Sequence, residues 1–443
     1  MDEVQRLAEK IDEIHSDLEA NVVGHKVDRD ILLLVDLAFH SALSFRFQGR
    51  LVQKGCVEIL VVGDTRTGKS ETSKCLIRHY LRGELIDCGN ATVAGLFGGV
   101  DEVSGKNRFV RAGKLPLRNS ELVVLDESND LHPELIGKLS GVRSSGVYQV
   151  VKIVQASIPC RLRLVWIANP RSGDPIAEKN YGVLAIPEVI DKPEDIARFD
   201  AAVCISSNDV DLNALYVPSG ARKRVAHRYT GERCRTLIDW IWSRKVDQIV
   251  VTPETEDAIL DWSKDFSDKY SVKIPLVVRT EQRIKLARLS VALAARVGSA
   301  EEPDCERLIV KPEHVHYVGR RLQEIYDRDS MGYLGFSKSV DPRKLGPYVD
   351  KVLRALGQEG AGALLRMRYV SKTILTDLFS DKDAGHKAWN LLLRSNGVEN
   401  KTGRGYSMTE PMISRLKADM QSLPTHPSAG PLNETGQTGG GEW

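Results

Sequence analysis

The chain has 443 residues, 42% of them hydrophobic and 28% charged, with a formal net charge of +2. This gives room for two or three domains of ordinary soluble composition and excludes a binding mode that relies on overall charge, since any basic surface has to be local. The seven cysteines are scattered without a C-x-x-C, which points to reduced thiols and away from a cysteine-rich zinc site. No apolar run reaches the roughly 20 residues of a membrane span, and the charged start MDEVQRLAEKIDEI is unlike a signal peptide. A cytoplasmic protein without membrane partners is expected.

Val4, Leu7, Ile11, Ile14 and Leu18 recur at intervals of three and four and predict an amphipathic helix packed on its own domain. Val22-Val23-Gly24-His25 reads as a turn, and the stretch 26–45, apolar on most faces, as a buried helix. The β-branched run Ile59–Val62 then predicts a buried strand. Gly63-Asp64-Thr65-Arg66-Thr67-Gly68-Lys69-Ser70 follows at once and fits G-x-x-x-x-G-K-[ST], with a helix expected over 72–81. Strand, glycine-bounded loop and helix in that order make a phosphate site. Backbone N–H groups converge on the anion, aided by the helix N-terminus. Lys69 is expected to neutralise the β/γ-phosphates and Ser70 to ligate Mg²⁺, so ATP and Mg²⁺ are the predicted ligands.

Downstream, 84–88 is a candidate strand, and 91–100 begins as a helix that dissolves at Gly98-Gly99. Residues 101–111 look like a polar hairpin tip. The β run 121–127 ends in Asp126 and Glu127. About 55 residues after the lysine, such a pair can hold Mg²⁺ through Asp126 and polarise the attacking water through Glu127. Residues 147–158 predict a hairpin with Lys152 near its tip, leading into the strand 162–167. That strand ends in Asn169-Pro170, where the asparagine can reach the attacking water or the γ-phosphate. A further strand is expected over 201–205, helices over 252–296, and then a small unit over 342–420. In that unit helices precede a basic, glycine-rich hairpin containing Lys401 and Arg404, which suggests a winged helix. Arg394, Lys401 and Arg404 either touch DNA or are simply solvated. The polar tail from Leu423 is expected to be disordered.

From about Val22 to Val297 these motifs together resemble the ATPase half of the minichromosome maintenance (MCM) helicases, members of the AAA+ class. The residues that carry the likeness are GHKVDRDILLL, GDTRTGKS, AGLFGGV with FVRAGKL, LVVLDESND, CRLRLVWIANP, ARFD and VVRTEQRIKLARLSVALAARV. The loop reads T-R-T-G where the family usually has P-G-T-A, and Ser128-Asn129 stand where it has Phe-Asp. The resemblance implies an α/β fold with a parallel sheet, hairpin inserts and a helical lid. Its divisions here are N-terminal helices over 1–50, an AAA+ core over 51–245, a lid and linker over 246–335, a winged-helix-like domain over 340–420 and a tail over 423–443. It further implies that Asn169 is a first sensor, Arg198 an arginine finger acting on a neighbouring subunit, and Arg279 a second sensor acting across the same boundary. Two hairpins, one with Lys106 and Arg108 and one with Lys152, would face DNA in the channel of a homo-oligomeric, hexameric ring. Only about 20 residues precede the region of likeness, so the family's N-terminal DNA-binding half is expected from a separate DNA-binding or loader protein. The reading is therefore an ATP-dependent DNA translocase or helicase in replication. Its rivals are a protein-remodelling ATPase of the chelatase or sigma-54-activator type, with which the insert shares LFGG but not a GAFTGA loop, and a clamp that binds ATP without turnover.

Overall fold

All five apolar positions of the first periodic stretch, Val4, Leu7, Ile11, Ile14 and Leu18, are buried on one face of helix α1 (Glu3–Leu18). The computed structural model describes residues 3–103, 107–151, 155–211, 225–270, 273–339, 349–367, 369–379, 381–394, 397–401 and 405–420. Beyond α1 the chain does not turn at Val22 as expected, but continues through a π-helical turn, Glu19–Val23, that closes at Gly24. Helix α2 is shorter than the sequence suggests, spanning Arg29–Phe39. The Asp28 carboxylate sets its start by accepting the N–H groups of Asp30 (2.9 Å) and Ile31 (3.2 Å). The apolar residues after Phe39 belong instead to a small antiparallel hairpin, β1 (Phe45–Phe47) with β2 (Arg50–Val52). A run buried on every side carries no period, so helix and strand read alike there.

The central sheet begins with β3 (Glu58–Gly63), which runs through the phosphate loop into α3 (Lys69–Tyr80). Next come β4 (Glu84–Asp87), an antiparallel insert of β5 (Gly98–Val103) and β6 (Asn107–Ala112), and β7 (Leu122–Asp126). Helix α4 (Pro133–Ser145) was not anticipated, because two glycines and three serines within it hide its pattern. A second hairpin, β8 (Val147–Val151) with β9 (Gln155–Pro159), leads to β10 (Arg163–Ala168), and β11 (Ala201–Ile205) completes the sheet. The order is β11-β3-β10-β7-β4, and every pairing is parallel. Every residue of β3, β7, β10 and β11 is buried, as expected when both faces of a parallel sheet are covered.

At the N-terminal edge of the sheet Glu58 and Arg143 form a buried pair (2.5 Å), and Arg143 also reaches Asp195 while lying over the rings of Trp166 and Phe199. The chain continues through α5 (Gly231–Trp242), β12 (Ile249–Val251), α6 (Pro253–Lys269), α7 (Gln282–Arg296), β13 (Leu308–Val310) and α8 (Pro312–Asp327). β12 and β13 pair in parallel. The helicity expected across 252–296 is interrupted between Lys269 and Gln282, where Pro275 falls. Buried Asp36 of α2 joins these helices to the core. It pairs with Arg296 of α7 (2.5 Å), accepts the hydroxyl of Tyr80 at the end of α3 (2.7 Å), and has His15 and His40 beside it.

The chain divides into two compact units, Met1–Leu334 and Gly335–Trp443. In the second, α9 (Val349–Arg366, kinked at Gly357), α10 (Lys372–Asp377) and α11 (Lys382–Arg394) precede the antiparallel pair β14 (Val398–Lys401) and β15 (Gly405–Met408). Helix α12 (Glu410–Asp419) follows. Leu353, Leu356, Leu364, Leu375, Leu392, Met412 and Leu416 form its core. Arg404 and the tail from Leu423 lie outside the described residues, as do the side chains of Arg394 and Lys401. Among the described residues no helix is long and apolar enough to cross a membrane.

Candidate active site

The phosphate loop leaves β3 at Gly63, where a Cβ would stand 2.7 Å from the carbonyl oxygen of Ile205, so no larger residue fits against β11. Gly68 takes φ +82°, a left-handed conformation that turns the chain into α3. Between them the Asp64 carboxylate accepts the N–H groups of Ile176 (2.8 Å) and Ser207 (2.7 Å), fastening the loop to segments beyond β10 and β11. Thr67 donates its hydroxyl to the Asp64 carbonyl (2.9 Å). Lys69 Nζ is buried within hydrogen-bond distance of the carbonyls of Gly63 (2.8 Å) and Asp64 (2.5 Å), Thr67 Oγ1 (3.2 Å) and Asn169 Oδ1 (3.1 Å). Burial lowers its pKa to about 8, against the opposing pull of Asp64 and Asp126.

Sheet order brings the remaining groups to this loop. β10 lies between β3 and β7, so Asn169, one residue beyond β10, stands between the lysine and the acidic tip of β7. Ser70 donates to Asp126 Oδ1 at 2.6 Å, and Lys74 Nζ lies 4.0 Å from the other oxygen. Glu127 takes a left-handed backbone conformation, φ +54°, and its side chain is exposed. The two residues after the acidic pair hold the strand ends together. Ser128 donates to the Ile167 carbonyl (2.9 Å), and Asn129 Oδ1 accepts the N–H of Asn169 (3.0 Å).

Sequence reading missed Asp87, which pairs in register with Asp126 across β4 and β7. Glu127 Oε2 and Asp87 Oδ1 stand 3.2 and 3.3 Å from where a Cβ on Gly89 would lie. The Asp87 charge, then partial desolvation, Asp126 and Asp130 raise the Glu127 pKa above the usual carboxylate range. Both β4 and β7 end in aspartate, a signal that becomes readable only once the two strands are known to be neighbours. Thr65, Arg66, Thr67, Gly68, Lys69, Ser70, Asp126, Glu127 and Asn169 are among the residues lining one cavity of about 310 Å³.

The remaining candidates lie elsewhere. Arg198 follows the helical turn Pro193–Ile196, pairs with Asp195 (3.3 Å) and donates to the Ser144 hydroxyl. Arg279 sits in the α6–α7 connection, its side chain 79% exposed and 3.4 Å from Asp268. Neither lines the cavity of its own chain. Arg108 lies in β6 opposite Glu102, and nothing is described of its side chain. Lys106 and Lys152 fall outside the described residues.

Residues 1–207 match the MCM P-loop domain family. That match supports an AAA+ portion of MCM type over those residues. The α/β core, with a five-stranded parallel sheet flanked by helices, is consistent with a P-loop fold of the AAA+ type. The chain is also similar to the minichromosome maintenance protein MCM of Saccharolobus solfataricus, 24% identical over 277 residues. That alignment covers 58% of this chain and 38% of the relative, so the chain spans well under half of the relative's length in the MCM portion they share.

Proposed function

We propose that this protein is an MCM-like motor that hydrolyses ATP in a hexameric ring of identical subunits and uses the hydrolysis to move along DNA in replication. The observation that carries the reading is the convergence of Lys69, Ser70, Asp126, Glu127 and Asn169 on one cavity from three adjacent parallel strands. In binding ATP, the loop from Gly63 to Ser70 wraps the phosphates. Lys69 exchanges its contacts with loop carbonyls for phosphate oxygens. Ser70 Oγ and Asp126 Oδ1, 2.6 Å apart, form an oxygen donor pair that fits a hard divalent cation. Mg²⁺ held there would neutralise charge on the β- and γ-phosphates.

Glu127 orients the attacking water and accepts its proton, a task favoured by its raised pKa. Asn169, whose Oδ1 accepts from Lys69 Nζ (3.1 Å), would sense a bound γ-phosphate and report its occupancy to β10. Arg198 and Arg279, absent from their own chain's cavity, complete the site of a neighbouring subunit, where guanidinium charge stabilises the transition state. The hairpins bearing Lys106, Arg108 and Lys152 contact DNA phosphates without reading sequence. The second unit is a winged-helix-like domain.

Phosphate release with and without single-stranded DNA tests the reading. Turnover that DNA stimulates and that Lys69→Ala abolishes is expected. Hydrolysis indifferent to DNA, with no salt-dependent DNA binding, would move the protein to the class that remodels protein partners.

A further inference from the structure

A second cavity, of about 760 Å³, opens in the first unit and shares no lining residue with the nucleotide cavity. The two lie toward opposite ends of α3. Lys69 and Ser70 begin that helix at the phosphate loop, whereas Gly231 of α5 packs so closely on His79 near its other end that a Cβ would stand 2.5 Å from the His79 carbonyl oxygen. Its volume suits a small organic molecule.

The wall gathers positive charge from three elements. Lys10 reaches in from α1, Arg233 from the first turn of α5, and Arg296 from the end of α7. Lys10 Nζ uses one donor on the Val297 carbonyl (2.6 Å) and keeps two. Arg296 is buried, pairs through Nε with Asp36 and lies over the Tyr229 ring, so it contributes its charge from behind the wall. Thr230 caps α5 through the Arg233 N–H (3.4 Å), so the positive end of that 12-residue helix also faces the cavity. Glu232 is the acid of the wall, and Leu237, Trp240, Val297 and Ala300 give it an apolar side.

We infer that this cavity binds a small organic oxyanion, a phosphate or carboxylate carried on an aromatic or apolar body. The anion meets Lys10 and Arg233, with the Arg296 charge behind them, and the body lies against Leu237 and Trp240. The ligand is distinct from the ATP of the phosphate loop.

Cys305 gives a local readout. It lines this cavity and is exposed, whereas the other six cysteines are buried. Iodoacetamide should therefore alkylate one thiol per native chain, and phenyl phosphate, with ionic strength held constant by chloride, should slow that alkylation. Occupancy predicts a roughly tenfold slower rate once the probe reaches ten times its Kd. Inorganic phosphate should protect only at higher concentration, because it lacks the ring. Lys10→Ala and Arg233→Ala should each weaken protection, and Glu232→Gln should strengthen it. An alkylation rate unmoved by phenyl phosphate into the millimolar range overturns the inference. Equal protection of wild type and all three variants overturns it as well, and inorganic phosphate protecting as well as phenyl phosphate removes the aromatic body from it.

Discussion

Replacing Glu127 by Gln removes a proton acceptor while leaving Lys69, Ser70 and Asp126 in place. ATP binding should persist, and single-turnover hydrolysis should fall by roughly 10²–10⁴, the usual cost of losing a general base. Unchanged turnover would exclude Glu127 from the role. Its neighbour Asp87 makes a finer test. A carboxylate beside Glu127 disfavours the ionised form and raises its pKa. The base works when deprotonated, so activity is present above that pKa and lost as pH falls through it. In Asp87→Asn the acid limb of the kcat profile should therefore move to lower pH, with the plateau at neutral pH little changed. A limb that stays where it is in wild type would separate Asp87 from the chemistry.

At the scale of elements, α1 and α2 pack around groups that cannot be charged where they sit. Burial lowers the His15 pKa to about 3 despite the nearby Asp36, and it also lowers that of His40. The unfolded chain binds protons on these histidines near pH 6.5 and the native one does not. Stability is thus complete above that pH and falls as pH drops below 6.5, for His15 toward 3 with a slope approaching about 1.4 kcal/mol per pH unit, and for His40 in the same direction. Asp36, held well below its usual range by Arg296, loses stabilisation in the same direction once it protonates. Thermal melts from pH 7 to 4 should show a steady decline, shallower in His15→Asn; a flat profile would contradict it. The hairpin β8–β9 carries a different expectation. Lys152→Ala should leave basal ATPase activity intact, reduce its stimulation by DNA, and make the dependence of log affinity on log salt shallower. Wild-type behaviour in both assays would reduce Lys152 to a solvated charge.

These elements also mark how far the sequence is legible. The phosphate loop could be read because strand, loop and helix are contiguous and every chemical group lies within eight residues. Asn169 and Asp126 could be placed because each ends a recognisable apolar run. Asp87 and Asn129 could not, since their closeness to the site exists only through the strand order β3-β10-β7-β4. The Asp28 cap was available in the sequence, but the apolar residues beyond Phe39 outweighed it in extending α2.

For the molecule as a whole, the decisive question is whether one chain's arginine serves another's phosphate. Arg198→Ala and Lys69→Ala should each be inactive alone, yet mixtures should regain part of the activity. Some interfaces then hold an intact loop on one side and an intact finger on the other. Mixtures that stay inactive at every ratio would confine Arg198 to its own chain. The buried Asp36 junction bears on how such an assembly moves. One carboxylate binds α7 to α2 and to the last residue of α3, the helix that begins at the phosphates. Helix α7 is thereby tied to the core by a buried ion pair, which opposes its swinging over the loop as a hinged cover would. Work released at the phosphates then has little slack to spend inside a subunit. In the ring proposed above it would be delivered at the seams between subunits, so that each nucleotide event would register as a change in the pitch of the ring and not in the shape of its parts.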